Sequence, residues 1–199
     1  MKDSHLIRTL FLTIVAEVIS FGVLIPIVPL LFTEPSSSFY MLPAGISLQT
    51  GYILLGLLIG LYPLGQFIAT PLLGELSDVY GRKTVIQLSV AGTVISTIIF
   101  GIGLMISSIP LLFISRIFNG LTGGLISVAQ ATIADVTTEA DRSKNFGFIG
   151  AAFGTGFILG PFLGGVLSSN IVSFFSATSP FWFAAGLSTL SLVYVRLRL

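Results

Sequence analysis

The chain alternates between long apolar stretches and short polar ones. Residues 51–73 and 84–106 are two runs of 23 residues without a charged side chain. Because a helix rises about 1.5 Å per residue, each run forms a helix of about 35 Å, long enough to cross the hydrocarbon core of a bilayer. Comparable apolar stretches occupy 9–32, 111–134, 146–168 and 180–195. The pattern predicts an all-α integral membrane domain over 1–199, with six transmembrane helices.

Apart from Arg116, which lies inside a predicted span, basic residues are confined to the termini and to alternate connections between these helices. Residues 74–83 read GELSDVYGRK, which predicts a tight charged turn, and further basic residues lie in 135–145 and at both termini. The connections 33–50, 107–110 and 169–179 contain no Lys or Arg. Cytoplasmic loops of membrane proteins are enriched in Lys and Arg. We therefore expect a multi-pass protein of the cell (inner) membrane, with both termini and 74–83 in the cytoplasm.

Composition excludes several other classes of protein. Hydrophobic residues make up 54% of the chain and charged residues 9%, against about a quarter charged in soluble domains. Without cysteine, disulfides and thiolate chemistry are excluded. The net charge of +1 and the absence of a basic patch favour no nucleic-acid partner. A single His in the N-terminal tail and no nucleophile–base set predict neither an enzyme nor a metal or cofactor site.

Glu17 is an acidic residue about eight positions into the first helix, near the middle of the bilayer. A charge at that depth costs roughly 2.5–3.5 kcal/mol on insertion scales, so an intramembrane carboxyl is a functional candidate. We interpret Glu17 as a group that exchanges a proton. The alternative is a permanently protonated Glu that hydrogen-bonds a neighbouring helix.

Arg116 is a second ionisable residue inside a predicted span. It is either an anchor that extends to the membrane surface or part of a polar cavity. The cavity is favoured by other polar residues in the same span and in the second helix, which are candidate lining residues: Asn119, Thr122, Gln130 and Gln66. Pro26 and Pro29 in the first helix and Pro161 in the fifth predict kinks.

Three motifs in order resemble those of the major facilitator superfamily. The family's G-x-L-[SA]-D-x-x-G-R-[RK] signature matches at Gly74, Leu76, Ser77, Asp78, Gly81, Arg82 and Lys83. A second signature matches Arg116, Gly120 and Gly123. A third, typical of drug:proton antiporters, matches Gly147, Gly156, Gly160, Pro161, Gly164 and Gly165. Together with Glu17, Pro26 and Pro29, these motifs are most similar to the tetracycline-efflux group.

The resemblance implies a fold of two three-helix repeats and an efflux function. Family members have twelve helices in two halves, with the substrate path between them, and this chain resembles the N-terminal half alone. It implies proton-coupled efflux of a small organic substrate or drug by alternating access, with Glu17 and Arg116 in proton coupling. It also implies a second six-helix half as partner, either a second copy or a separate C-terminal half.

The motif in 74–83 implies a cytoplasmic gate formed by Gly74, Asp78, Gly81, Arg82 and Lys83. Gly74 and Gly81 are expected to permit a tight backbone, and Asp78 to help hold the cytoplasmic side closed. Anchoring by positive charge alone explains Arg82 and Lys83 but not Asp78. Val79 stands where the family often has a basic residue, so the contact made there is not expected in this chain.

Two other functions remain open. One is a solute:proton symporter of the same superfamily, against which the glycines around Pro161 argue. The other is a truncated membrane subunit that transports nothing and packs against a partner, which the end of the chain after six helices favours.

Overall fold

The computed structural model describes residues 2–169 and 175–199, and all its regular elements there are helices. They are α1 (Lys2–Gly22), α2 (Val28–Phe32), α3 (Leu48–Tyr80), α4 (Arg82–Met105), α5 (Ile109–Thr122), α6 (Leu125–Val136), α7 (Glu139–Ser168) and α8 (Ser179–Arg198). Within these residues six segments are long and apolar enough to cross a membrane, with α5 and α6 together forming the fourth. The predicted all-α membrane fold with six transmembrane helices is confirmed.

The helices pack as two related groups of three. The first group is α1, α3 and α4, and the second is the α5–α6 pair, α7 and α8. The first helix of each group packs on the second helix of the other, α1 on α7 and α5 on α3. The third helices, α4 and α8, pack on each other. This exchange is the relation expected of two repeats about a pseudo-two-fold axis.

Two apolar clusters lie at opposite ends of the bundle. One contains Leu10, Ile86 and Val195 and lies toward the end that carries Arg82 and Arg196, here called the basic end. The other contains Phe100 and Phe181, whose rings stack with centroids 4.8 Å apart, and lies toward the opposite end.

The first predicted span, 9–32, is interrupted. Helix α1 ends at Gly22, and α2 begins only at Val28. Pro26 lies in the interruption and Pro29 in the first turn of α2, where its missing N–H removes no helical hydrogen bond. The prolines therefore break the helix rather than bend it. Pro161, by contrast, lies within α7, which continues on both sides of it.

The tight turn predicted over 74–83 is wrong. Helix α3 continues through Gly74 and Asp78 to Tyr80, and only Gly81 separates it from α4. Gly81 has a φ of 90°, a left-handed value that other residues rarely adopt, so the reversal needs glycine there. Gly74 is an ordinary helical residue. The charges mark where the chain leaves the apolar layer, and a helix can cross that boundary without a change of conformation.

The fourth span, 111–134, is also broken. Helix α5 ends at Thr122 and α6 begins at Leu125, with Gly123 and Gly124 between them. The Gln66 Nε2 of α3 donates to the Gly123 carbonyl oxygen at 2.8 Å. A backbone carbonyl freed inside a membrane needs such a partner. The break is thus stabilised by a side chain from the neighbouring repeat.

Candidate functional site

The break between α5 and α6 lies beside a cavity of about 720 Å³. Helices α1, α3, α4, α5, α6 and α7 form its walls. Its polar lining includes Glu17, Ser20, Gln66, Thr70, Ser89, Thr93, Thr97, Asn119, Ser127 and Gln130, and its aromatic lining Phe21, Tyr62, Phe67, Phe153 and Phe157. Ligand sites of this size are mostly apolar, with a few polar groups that fix orientation. The cavity has the volume and lining of a site for a small organic molecule.

The cavity opens on the side formed by α3 and α7. The Phe67 side chain of α3 lines it and is 79% exposed, and Phe157 of α7 is also exposed. Next to them, α3 and α7 expose further large apolar side chains, among them Ile68 and Ile158. This side of the bundle is apolar at its edges and polar at its centre.

Glu17 lies in the cavity wall. The hydroxyls of Thr93 on α4 and Ser188 on α8 lie beside its carboxyl. Even so, Glu17 Oε1 is buried and has no hydrogen-bond partner among the described residues. No basic side chain forms an ion pair with it in the described chain, where the ion pairs all involve Arg82. A carboxyl in this setting has nearby hydroxyls but no fixed counter-charge.

Arg116 is buried and lies behind the aromatic wall of the cavity. Its guanidinium carbon is 5.1 Å from the centre of the Tyr62 ring and 5.8 Å from that of Phe21. Both rings line the cavity, whereas Arg116 does not. Cation–π contacts of a desolvated Arg contribute about 2 kcal/mol, so the rings replace part of its hydration. Arg116 is not an anchor that reaches the membrane surface.

The other predicted lining residues divide into two groups. Gln66, Asn119 and Gln130 line the cavity. Thr122 does not: its hydroxyl donates to the Phe118 carbonyl of its own helix at 3.0 Å, and its side chain packs against Gly92 of α4. Asn119 and Thr122 are three residues apart on α5, and only the close approach of α4 at Gly92, which the sequence pattern does not show, separates their surroundings.

The motif residues at the basic end form a network around Arg82. Its guanidinium pairs with Asp78 at 2.8 Å and with Asp135 at 3.2 Å, and donates to Ser77 Oγ at 2.6 Å. These contacts join the end of α3, the start of α4 and the end of α6. Lys83 Nζ donates to the Arg196 carbonyl at 3.0 Å, which adds α8. Asp135 thus belongs to the network.

The glycines of α7 fall on two faces. Gly156, Gly160 and Gly164 face α1, and a Cβ added at Gly160 would lie 2.7 Å from the Cα of Gly22. Gly147 and Gly165 have open space around them. The four-residue spacing therefore marks a close helix contact, and the remaining two glycines of the motif take no part in it.

Sequence reasoning missed the aromatic and hydroxyl residues of the site. Phe21 and Tyr62 look like ordinary lipid-facing residues in a span, and nothing local distinguishes them. The hydroxyls of α4 gave a usable signal: Ser89, Thr93, Ser96 and Thr97 recur at three- to four-residue spacing in an otherwise apolar helix, which places them on one face.

The arrangement of a membrane-embedded polar cavity, a broken helix and two inverted repeats defines a class of protein, the secondary transporters. The family model of the Major Facilitator Superfamily matches residues 10–199. The chain therefore belongs to this superfamily, which its motifs had suggested. The superfamily consists of transporters rather than enzymes.

Similar proteins include several bacterial drug-resistance proteins. The class H tetracycline resistance protein of Pasteurella multocida is 36% identical, over 88% of this chain and 40% of its own. The class C tetracycline resistance protein of Escherichia coli is 34% identical, over 97% of this chain and 44% of its own. The crystal structure of a human organic anion transporter superposes with a TM-score of 0.78 at 26% identity, over 97% of this chain and 46% of that one. The chain thus spans less than half the length of these proteins.

Proposed function

We propose that the chain is one half of a proton-coupled efflux transporter that works by alternating access. The observation that carries the proposal is the position of Glu17, whose carboxyl lies in the wall of a 720 Å³ cavity without a basic partner in the described chain. Such a carboxyl can be neutralised by a proton. Substrate and proton then compete for one cavity, which is the requirement of an antiporter.

The tetracycline resistance proteins support a small organic drug as the substrate. The aromatic rings of Phe67, Phe153 and Phe157 provide flat apolar surfaces, and Gln66, Asn119 and Gln130 provide amide groups for hydrogen bonds. Arg116 is withdrawn behind Tyr62 and Phe21. Its part in proton coupling is indirect, through the rings that separate it from Glu17.

The partner in this proposal is a second six-helix half. Polar side chains such as Asn119 and Gln130 lie on the open side of the bundle, where lipid offers no hydrogen bonds. A second half, from a separate C-terminal half or another copy of this chain, would cover this side and complete the cavity. We propose that the basic end faces the cytoplasm of a cell whose inner membrane holds the protein, with both chain termini on that side.

The network around Arg82 then lies at the cytoplasmic entrance. It holds α3, α4 and α6 together through Asp78 and Asp135. We propose that Gly74, Asp78, Gly81, Arg82 and Lys83 form a gate there, with Gly81 as the reversal that brings Arg82 back toward α3. The family's remaining gate contact would come from the second half.

The test compares Glu17→Gln with Glu34→Gln, a substitution in the exposed connection at the opposite end. The assay measures tetracycline accumulation in everted vesicles under an imposed pH gradient, and tetracycline binding by equilibrium dialysis. We expect Glu34→Gln to resemble the original protein and Glu17→Gln to bind tetracycline without accumulating it. Accumulation unchanged in Glu17→Gln would remove Glu17 from the mechanism. No accumulation with the original protein in vesicles that also hold its second half would favour the subunit that transports nothing.

A further inference from the structure

Three buried oxygen atoms lack a hydrogen-bond partner among the described residues: Glu17 Oε1, Ser89 Oγ and Ser191 Oγ. Buried polar atoms in folded proteins are nearly always paired, with protein or with ordered water. Other hydroxyls on the same helices follow that rule. Ser96 donates to the Thr93 carbonyl at 2.9 Å, and Thr13 to the Thr9 carbonyl at 2.8 Å. Missing hydrogen-bond partners are thus a property of these three oxygen atoms and not of buried hydroxyls on these helices in general.

Packing of α1 on α8 brings Glu17 level with Ser191. The two helices are antiparallel, because Leu10 and Val195 share the apolar cluster of the basic end. Further along, the Oγ atoms of Ser20 and Ser188 lie 3.0 Å apart. Glu17 on α1 and Ser191 on α8 each lie three residues nearer the basic end than Ser20 and Ser188. One turn of each helix thus separates the two pairs.

Packing of α4 on α8 places Ser89 in the same layer. The Phe100–Phe181 stack and the Lys83–Arg196 hydrogen bond fix these helices as antiparallel. Between those contacts, Thr93 and Ser188 both lie at the Glu17 carboxyl. One turn nearer the basic end, α4 carries Ser89 and α8 carries Ser191. Three helices therefore each contribute one unpaired oxygen, with Ser89 and Ser191 about one turn, or about 5.4 Å, nearer the basic end than the hydroxyls beside the Glu17 carboxyl.

We propose that Glu17, Ser89 and Ser191 bind a buried water molecule that is the immediate proton partner of Glu17. A buried water typically makes about three hydrogen bonds, and three groups are present. Hydroxyls both donate and accept, so the water can donate to the Glu17 carboxylate and accept from the carboxylic acid. The inference rests on the proposed function of Glu17 and makes Ser89 and Ser191 positioning residues.

The site lies where the water would survive substrate binding. Ser191 does not line the large cavity, whereas Glu17 and Ser89 do, so the site adjoins the cavity on its α1 and α4 sides and is separated from it on its α8 side. Toward the basic end it is closed by Ile86, Leu10 and Val195, all fully buried. Glu17 would thus keep a hydrogen-bond partner on its α8 side while a substrate occupies the cavity.

The test is infrared difference spectroscopy of the purified full chain in lipid, between two pH values at which Glu17 changes protonation. Exchange of water for its ¹⁸O form identifies bands of bound water, and Glu17→Gln identifies the carboxyl band. We expect an ¹⁸O-sensitive band in the original protein. In Ser89→Ala/Ser191→Ala this band should be lost, and the Glu17 carbonyl band should move to higher frequency. Ser96→Ala, a buried Ser of α4 that bonds within its own helix, is the matched control and should retain both bands.

An ¹⁸O-sensitive band that persists in the double variant, or the absence of such a band in the original protein, would overturn the proposal. If the double variant is unstable, Ser191→Ala alone decides the matter, since it removes one of three ligands and should weaken and shift the band. The measurement needs no transport. Failure of Glu17→Gln to abolish accumulation would refute the proposed function and leave the spectroscopic result standing.

Discussion

Replacing Gly160 by Ala tests the contact between α1 and α7 that organises the site. The added Cβ would lie 2.7 Å from the Cα of Gly22 and 3.0 Å from the carbonyl oxygen of Ile19. Both are backbone atoms, so the strain cannot be relieved by a side-chain rotation, and the helices must separate. Overpacking of this kind costs about 1–3 kcal/mol.

The matched variant is Gly154→Ala in the same helix. Gly154 has nothing within 4 Å of an added Cβ, and it also lies inside α7. Ala favours a helix over Gly by about 1 kcal/mol at both positions, so this contribution cancels in the comparison. Gly160→Ala should therefore be less stable than Gly154→Ala by about 1–3 kcal/mol, a ratio of roughly 5- to 150-fold in the folded-to-unfolded equilibrium.

The assay is unfolding in mixed micelles with increasing sodium dodecyl sulfate, followed by circular dichroism. Gly154→Ala should unfold at the same detergent fraction as the original chain or a higher one, and Gly160→Ala at a lower one. Equal unfolding curves for the two variants would refute the packing argument, because only Gly160 is in contact with α1.

Three further predictions concern topology, pairing and the basic end. The chain has no native cysteine, so single cysteines can be introduced as labels. Ser38→Cys should react with an impermeant thiol reagent outside intact cells, and Val79→Cys should not, although Val79 is 76% exposed. The reverse labelling would show that the orientation is inverted. Gln130→Cys, in the cavity lining, should cross-link to a partner in native membranes and Ile114→Cys should not; a well-dispersed monomer would contradict pairing. Asp135→Asn should change the free energy of unfolding by no more than about 1 kcal/mol, because the Arg82 pair is half exposed; a larger loss in the detergent assay would contradict a surface pair.

The six spans were predictable because a bilayer imposes one strong requirement, a long apolar helix. The ends of the helices were not, because charge marks the membrane surface and not the end of a helix. Helix α3 shows the difference: its 33 residues extend about 50 Å, well beyond the apolar run 51–73.

The interior of the site was only partly predictable. Glu17 and Gln66 stood out because polar groups are rare in spans, and both line the cavity. The position of Thr122 depended on the contact with Gly92, which lies on another helix. The position of Arg116 depended on Tyr62, which lies on another helix. Such relations arise from tertiary packing and leave no local pattern.

The break at Gly123 and Gly124 gives the fourth span the mechanics of a hinge. Across an unbroken helix, bending stretches several main-chain hydrogen bonds at once. Here a change of angle between α5 and α6 disturbs the bond from Gln66 to the Gly123 carbonyl, and a single neutral hydrogen bond contributes about 0.5–1.5 kcal/mol net. That is about one to three times the thermal energy. The half-helix that carries Asn119 and the one that carries Gln130 are therefore joined, beside the cavity, by a segment held by short-range main-chain bonds and by one side chain.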